Sequence, residues 1–360
     1  MKSEVPTIVK FEQAGLDKPD MRMRFFNTMD FHVHSTILRL HSRYFRNYLD
    51  SADRKPAGPD APFSYELEAR MKNEKPGYMN DNWNDTTMHW TLVECDVKTG
   101  PTRNARSWRW FERHAALFRM LLCALYSQPF SLNTLPSGMS ETEELEFLIQ
   151  LGDDYQCMPM LSLALNGAIN ATADLHKIVA CEYESSVELL LLAIKVRNPL
   201  LYRHSLMVAL NPWDSPSIDA VTDVKTLEDP RVRQCIKNAR ASVDRKLALA
   251  QQSLLNAQQS KHMRRMMDQV IEKLYHDQKK IRGRESIPLA RFYRLIYDRL
   301  ESENRMSLGL AYRLEDLLAN NLPRRTTNRE SVGRGILTNS FLCADIPDED
   351  LPWDVNERDW

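Results

Sequence analysis

A small α+β domain followed by an all-α domain is the fold class this sequence predicts, and three observations predict it. Residues 20–33 alternate apolar and polar side chains at the period of a strand. Residues 35–49, 110–130 and 142–171 switch to helical spacing, with apolar residues three and four apart. From 174 the chain reads as wholly helical.

The totals fit two domains. At 360 residues the chain has room for two and some tail, since a domain takes about 100–200 residues. Apolar residues make up 43% and can fill cores, while a net charge of −1 gives no global pull toward nucleic acid or membrane. The six cysteines are scattered without a Cys-x-x-Cys pair, which argues against a structural zinc site and a disulfide framework. No apolar run suits a signal peptide or reaches the roughly 18 residues of a membrane span. These features predict a reduced, intracellular protein, cytoplasmic or nuclear, with no cofactor and no membrane partner.

Residues 1–16 read as an N-terminal tail. In Asp20–Phe26, Met21, Met23 and Phe25 face one way and Arg22 and Arg24 the other, and Asn27-Thr28 turns this strand into a hairpin with the Phe31–Val33 strand. Helical period then begins without a Pro or Gly break. Thr36, Ile37, Leu38 and Leu40 make one apolar turn, and Ser42 is placed to cap a second helix carrying Tyr44, Phe45, Tyr48 and Leu49. Residues 51–88 are Pro-rich, then polar and turn-rich, and predict a long loop insertion. Strand character returns at 89–97 with Trp90, Leu92 and Val93. Phe111, Ala115, Phe118, Leu122 and Leu125 form one apolar stripe on the helix of 110–130. Leu145, Leu148, Gly152 and Tyr155, then Leu161, Leu165 and Ala168, mark two more helices.

In the second half, 187–198 is apolar nearly all round and predicts a helix buried on several sides. Another short helix follows Pro199. The stretch 231–284 has no Pro or Gly between Arg231 and Arg282, and it keeps an apolar stripe through Ile236, Ala239, Val243, Leu247, Ala250, Leu254 and Ala257. Met263, Met267, Val270 and Leu274 continue that stripe. A helical hairpin, a coiled-coil arm and a single long helix all suit this pattern. Two shorter helices at about 288–302 and 307–319 complete a helical domain of 173–322. Residues 323–360 read as a disordered tail, acidic at its end.

Four pieces of the first half resemble the BTB/POZ family in order and direction. They are Asp20 with its alternating strand; Phe31-x-Val33-His34, Ile37-Leu38 and Ser42-x-x-Phe45; the helix ending LLCALYSQPF; and Gly152-Asp153-Asp154-Tyr155. The resemblance covers residues 17–172 and implies an α+β BTB/POZ fold, a small sheet with helices, followed by an all-α helical domain as in fungal BTB proteins. It also implies non-catalytic work through protein partners: self-association, another BTB-binding protein, or docking to a cullin as a substrate adaptor for ubiquitination. Two departures stand out. Ser35 occupies the position where dimerising members carry a basic residue to pair with Asp20. The apolar-x-Glu element of cullin-docking members has its nearest counterpart in Phe63-Ser64-Tyr65-Glu66, out by one residue. The expected contact residues are Tyr44, Phe45, Tyr48, Leu49, Phe63 and Glu66.

Other clusters admit sharper and plainer readings. His32 and His34 lie two apart on a strand and could ligate a metal with His41, although a structural histidine at His34 is the plainer reading. Asp153 and Asp154 read as helix-end residues, since no nucleophile, phosphate loop or paired-carboxylate motif accompanies them. In 231–284 basic residues far outnumber Asp244, Asp268, Glu272 and Asp277. Arg264, Arg265, Lys279, Lys280 and Arg282 mark a basic face that is either solvated or open to nucleic acid or an acidic partner, the alternative function being a nuclear nucleic-acid-associated regulator. A third use of that face is intramolecular. The stretch 341–360 carries seven acidic residues, from Asp345 to Asp359, against Arg358, interleaved with Phe341, Leu342, Ile346, Leu351, Trp353 and Trp360. As an alternative to a disordered end, it reads as a short docking peptide lying along the basic helix.

Overall fold

Alternation along MRMRF produces a strand whose odd residues are fully buried and whose arginines stay partly exposed. That strand, β2 (Met21–Phe25), organises the first of two compact units, Met1–Ala168 and Ile169–Trp360. The computed structural model describes residues 6–25, 28–53, 56–58, 60–71, 90–94, 108–132, 141–171, 183–210, 229–280, 289–303, 308–318, 342–357 and 360. Together they form a mixed α+β protein, mostly helical, with one small sheet.

The first unit holds a five-stranded sheet in the order β1-β3-β2-β4-β5. β2 pairs antiparallel with β3 (Met29–Val33), and Thr28 closes the hairpin by donating its N–H and its hydroxyl to the Phe25 carbonyl, both at 2.8 Å. β1 (Thr7–Lys10) runs parallel to β3, and β4 (Tyr65–Met71) runs parallel to β2, with β5 (Trp90–Glu94) antiparallel beyond it. A parallel neighbour needs a long crossover. Between β3 and β4 that crossover contains α1 (Ser35–His41) and α2 (Arg43–Leu49).

Two strands correct the sequence reading. Residues 7–10 are not tail, because Ile8 and Val9 suit an extended edge and Phe11 behind them is buried against Phe31 and Tyr126. Residues 65–71 lie inside the expected loop of 51–88, yet Tyr65, Leu67, Ala69 and Met71 alternate with Glu66, Glu68 and Arg70 at strand period. Leu40 also differs from expectation: it is exposed, while Leu38 faces the core.

One sheet face is apolar. Met21, Met23, Phe25, Phe31, Val33, Leu67 and Ala69 are buried there, and α3 (Trp108–Leu125) covers them with Phe118, whose ring stacks on Phe25 at 4.4 Å. The Met, Phe, Val and Leu side chains each contribute about 1.5–3 kcal/mol by leaving water. α4 (Glu141–Asp154) and α5 (Met158–Ala171) complete the unit. Ala115, Phe118, Leu122, Leu125, Leu145, Leu148, Tyr155, Leu161, Leu165 and Ala168 all lie inside. The side chains of Phe111 and of β5 lie outside the described residues.

The second unit is helical: α6 (Tyr183–Lys195), α7 (Pro199–Ala209), α8 (Pro230–Ala257), α9 (Lys261–Lys280), α10 (Leu289–Ser302) and α11 (Leu308–Leu318). α8 starts as its sequence dictates, with Asp229 accepting from the Arg231 N–H at 2.7 Å and Pro230 in the first turn. The long basic stretch is two helices. It breaks at 258–260 although no Pro or Gly lies there, and Ser260 supplies the carbonyl that receives the first bond of α9 from Arg264. Serine is a preferred residue at such a start.

The chain end corrects a further expectation. Residues 342–357 are packed, not disordered: Leu342, Cys343, Ala344, Ile346 and Leu351 are buried, and Asp348–Asp350 form a turn of 3-10 helix. Residues 319–341 lie outside the described residues.

Candidate functional site

α2 divides the expected contact residues between core and surface. Ser42 accepts from the Phe45 N–H at 3.1 Å and so fixes where the helix begins. The same serine donates to the Tyr155 carbonyl at 2.6 Å, and the Arg43 N–H donates to the Gln156 carbonyl at 3.2 Å, which ties α2 to the end of α4. Phe45 (0% exposed) stacks on Tyr155 at 5.2 Å, and Leu49 (3%) is buried as well. Neither can meet a partner without unfolding, so Phe45 and Leu49 are core residues rather than the contact residues their spacing suggests. Burial also raises the Tyr155 hydroxyl pKa well above the ordinary phenol value, helped by Tyr44, Asp154 and Cys157, which keeps it neutral.

Tyr44 and Tyr48 lie one turn apart on the outer side of α2. Their rings are nearly parallel, 6.0 Å between centroids, and both are half-buried. With Asn47, Ser51, Asp53 and Gln156 they line an open depression of about 410 Å³. Asn47, one turn along from Tyr44, was legible as a neighbour. Gln156 was not, because it arrives from the end of α4 through a left-handed turn with φ 51°.

Phe63 and Glu66 have a different setting. They join the charged face of the sheet, where Arg22, Arg24, Asp30, His32, Glu66 and Glu68 sit on adjacent strands. Asp30 is 1% exposed and takes a bidentate pair from Arg22, with Nε–Oδ2 at 2.8 Å. Glu66 accepts from Arg24 at 3.1 Å and lies 3.8 Å from Arg22. The Phe63 ring meets His32 edge-on at 4.7 Å and carries the Arg22 guanidinium at 5.9 Å. Phe63 and Glu66 are therefore bound into the unit's own sheet.

His34 is fully engaged inside the fold. Its N–H donates to the Tyr126 hydroxyl at 2.6 Å, that hydroxyl faces Nδ1 at 3.0 Å, and Nε2 faces the Asp17 carbonyl at 2.8 Å. The network assigns the proton to Nε2. A metal at either nitrogen would displace one of these bonds. Among the described residues no group of three His, Cys, Asp or Glu side chains gathers to hold a metal ion. Asp153 and Asp154 close α4, with Asp154 accepting from Gln150 at 3.0 Å.

In the second unit Arg264 and Arg265 are exposed on α9. Lys279 and Lys280 end that helix, with side chains outside the described residues, as is Arg282. Among the described residues no helix is long and apolar enough to cross a membrane. No family model, no curated protein and no solved structure matches this chain.

Proposed function

We propose that the chain is a non-catalytic protein–protein interaction protein, an adaptor or scaffold whose first unit is a BTB/POZ-type domain. Support for the domain type comes from motif pieces far apart in sequence that meet in one unit. Ser42 and Phe45 contact Tyr155, and His34 contacts Tyr126. The observation that carries the functional reading is the Tyr44–Tyr48 pair lining an open, mixed polar and aromatic depression. Half-buried tyrosines offer apolar area and a polar tip at low entropic cost, which is the make-up of protein contact surfaces.

The partner class proposed is a cullin N-terminal domain, with substrate delivery for ubiquitination as the outcome. The experiment is titration calorimetry of the full chain against such a domain, repeated with a Tyr44→Ala/Tyr48→Ala variant. Micromolar or tighter binding that the variant loses supports the reading. Binding that the variant leaves unchanged removes this surface from it, and no binding at all removes the cullin.

A further inference from the structure

The end of the chain lies in the second unit as a peptide lies in a receptor. Residues 342–351 put Leu342, Cys343, Ala344, Ile346 and Leu351 inward. Their other contacts come from donor groups on the surrounding helices. Lys246 of α8, 3% exposed, reaches Asp345 at 2.8 Å, and Ser242 one turn earlier receives the Asp345 N–H at 3.1 Å. A further turn back, Asn238 donates to Asp350 at 2.6 Å. Asn238, Ser242 and Lys246 thus form one row, i, i+4 and i+8, and the segment runs against the direction of α8.

Basic groups complete the seat. Arg203 of α7 donates to the Ile346 carbonyl at 2.7 Å and pairs with Asp348. Arg197, just past α6, pairs with Glu357 at 2.5 Å and lies 4.8 Å from the Trp360 ring. Trp353 meets the buried Tyr202 edge-on at 5.3 Å. Charge is complementary at Arg197, Arg203 and Lys246, and Lys246 is shared with Asp316 of α11. The outer pairs are partly exposed, with Asp348 at 65% and Glu357 at 46%. Such pairs weaken in salt. The segment's described residues also contribute no strand or α-helix to the unit. Its direct backbone bond to a helix carbonyl runs from the Cys343 N–H to Leu317 at 2.9 Å. Side-chain anchors and charge, rather than ladder bonds, hold it.

We propose that the ends of α6 and α11, with α7 and α8, form a recognition groove for an acidic, tryptophan-bearing peptide. The chain's own C-terminal segment closes the groove in cis, and it gives way to the same peptide supplied in trans. This goes beyond the role proposed for the first unit and does not depend on it.

The test uses the full chain with a protease site placed within 326–330, cut after folding, and a fluorescent synthetic peptide of residues 342–360. The expected result is that the cut chain stays folded, its segment exchanges with the labelled peptide, and peptide affinity falls about tenfold or more between roughly 50 and 500 mM salt. A peptide with Asn or Gln at positions 345, 348, 350 and 357 fails to compete. Unfolding on cleavage, a segment that never exchanges short of denaturation, or equal competition by the neutral peptide each overturns the proposal. A second measurement keeps the chain intact: Arg203→Glu exposes 347–357 to proteolysis without lowering the melting temperature. Loss of both together marks the segment as core and overturns exchange.

Discussion

Asp20 holds Ser35 twice, accepting from its backbone N–H and from its hydroxyl, each at 2.7 Å. Ser35 is the first residue of α1, and His34, in the capping position, offers no side-chain bond. A carboxylate fifteen residues upstream therefore caps this helix, where the helix dipole also favours it. Asp20 thus has its partner in Ser35 itself. Arg39 donates to the same hydroxyl at 3.2 Å and brings a positive charge nearby. Asp20→Ala is expected to cost about 1–2 kcal/mol in urea unfolding, and Ser35→Ala less, since it keeps the N–H. Equal costs would sink the capping account.

His32 gives the first unit a pH response. Burial lowers its imidazole pKa below the ordinary 6.5; Asp30 opposes the shift, and Arg22 and Lys10 add to it. Burial lowers His41 as well. The unfolded chain therefore takes up these protons at higher pH than the folded one. Their contribution to stability is whole above about 6.5 and is lost as pH falls below it. His32→Gln is expected to flatten the fall in stability between about pH 7.5 and 5.5. An unchanged slope, measured by denaturation across that range, would refute this.

Among the described residues, three helices end on a residue other than glycine in the left-handed region: Ser127 after α3, Gln156 after α4 and Arg197 after α6. In each, the following N–H reaches back five residues, from Gln128 to Cys123, Cys157 to Gly152 and Asn198 to Ala193. Ser127→Gly is expected to stabilise the protein by about 0.5–1 kcal/mol by relieving the side chain's cost there. A drop in melting temperature would show that the serine does something else.

Gly152 lies close against the start of α5. A Cβ there would stand 2.6 Å from Leu161 Cδ2 and 3.1 Å from the Met158 sulfur. Gly152→Ala is expected to change stability by less than about 1 kcal/mol, since the Leu161 and Met158 tips can turn aside and alanine favours the helix. A larger cost in thermal unfolding would mean that α5 is pushed from α4.

Lys246 sits between Asp316 at 3.1 Å and Asp345 at 2.8 Å. Asp316→Asn with Asp345→Asn leaves a buried ammonium without its carboxylates and is expected to cost about 3–5 kcal/mol. Lys246→Met, which removes the charge itself, is expected to cost less. The reverse order in denaturant unfolding would refute the account.

Much of the fold was legible because period and burial coincide. The stripe Ile236–Ala239–Val243–Leu247–Ala250–Leu254 is buried along α8, and Met21, Met23 and Phe25 point into the sheet core. β4 was overlooked because its alternation lies between Pro-rich and turn-rich flanks, although Tyr65–Met71 carries the period by itself. At the candidate surface, helix spacing separates Tyr44 and Tyr48 from Phe45 and Leu49 only once the position of the core is known. Gln156, Arg197 and Arg203 reach their places through tertiary packing, which no local spacing encodes. The acidic end was legible as a docking peptide along the basic stretch 231–284, and its seat there is on Asn238, Ser242 and Lys246 of the first of the two helices.

The cysteines offer a last consequence. Cys123 and Cys157 are buried in the first unit, and Cys235 and Cys343 in the second. Burial pushes the Cys157 thiol up to about 12 and raises Cys123 and Cys235 too. Thiols held protonated and shielded react with a disulfide reagent only when the structure around them opens. With Cys95 and Cys181 changed to Ser, labelling rates at the remaining four would clock the opening of each unit separately. Cys343, fully covered beside Leu317, would time the departure of the C-terminal segment in the unmodified backbone.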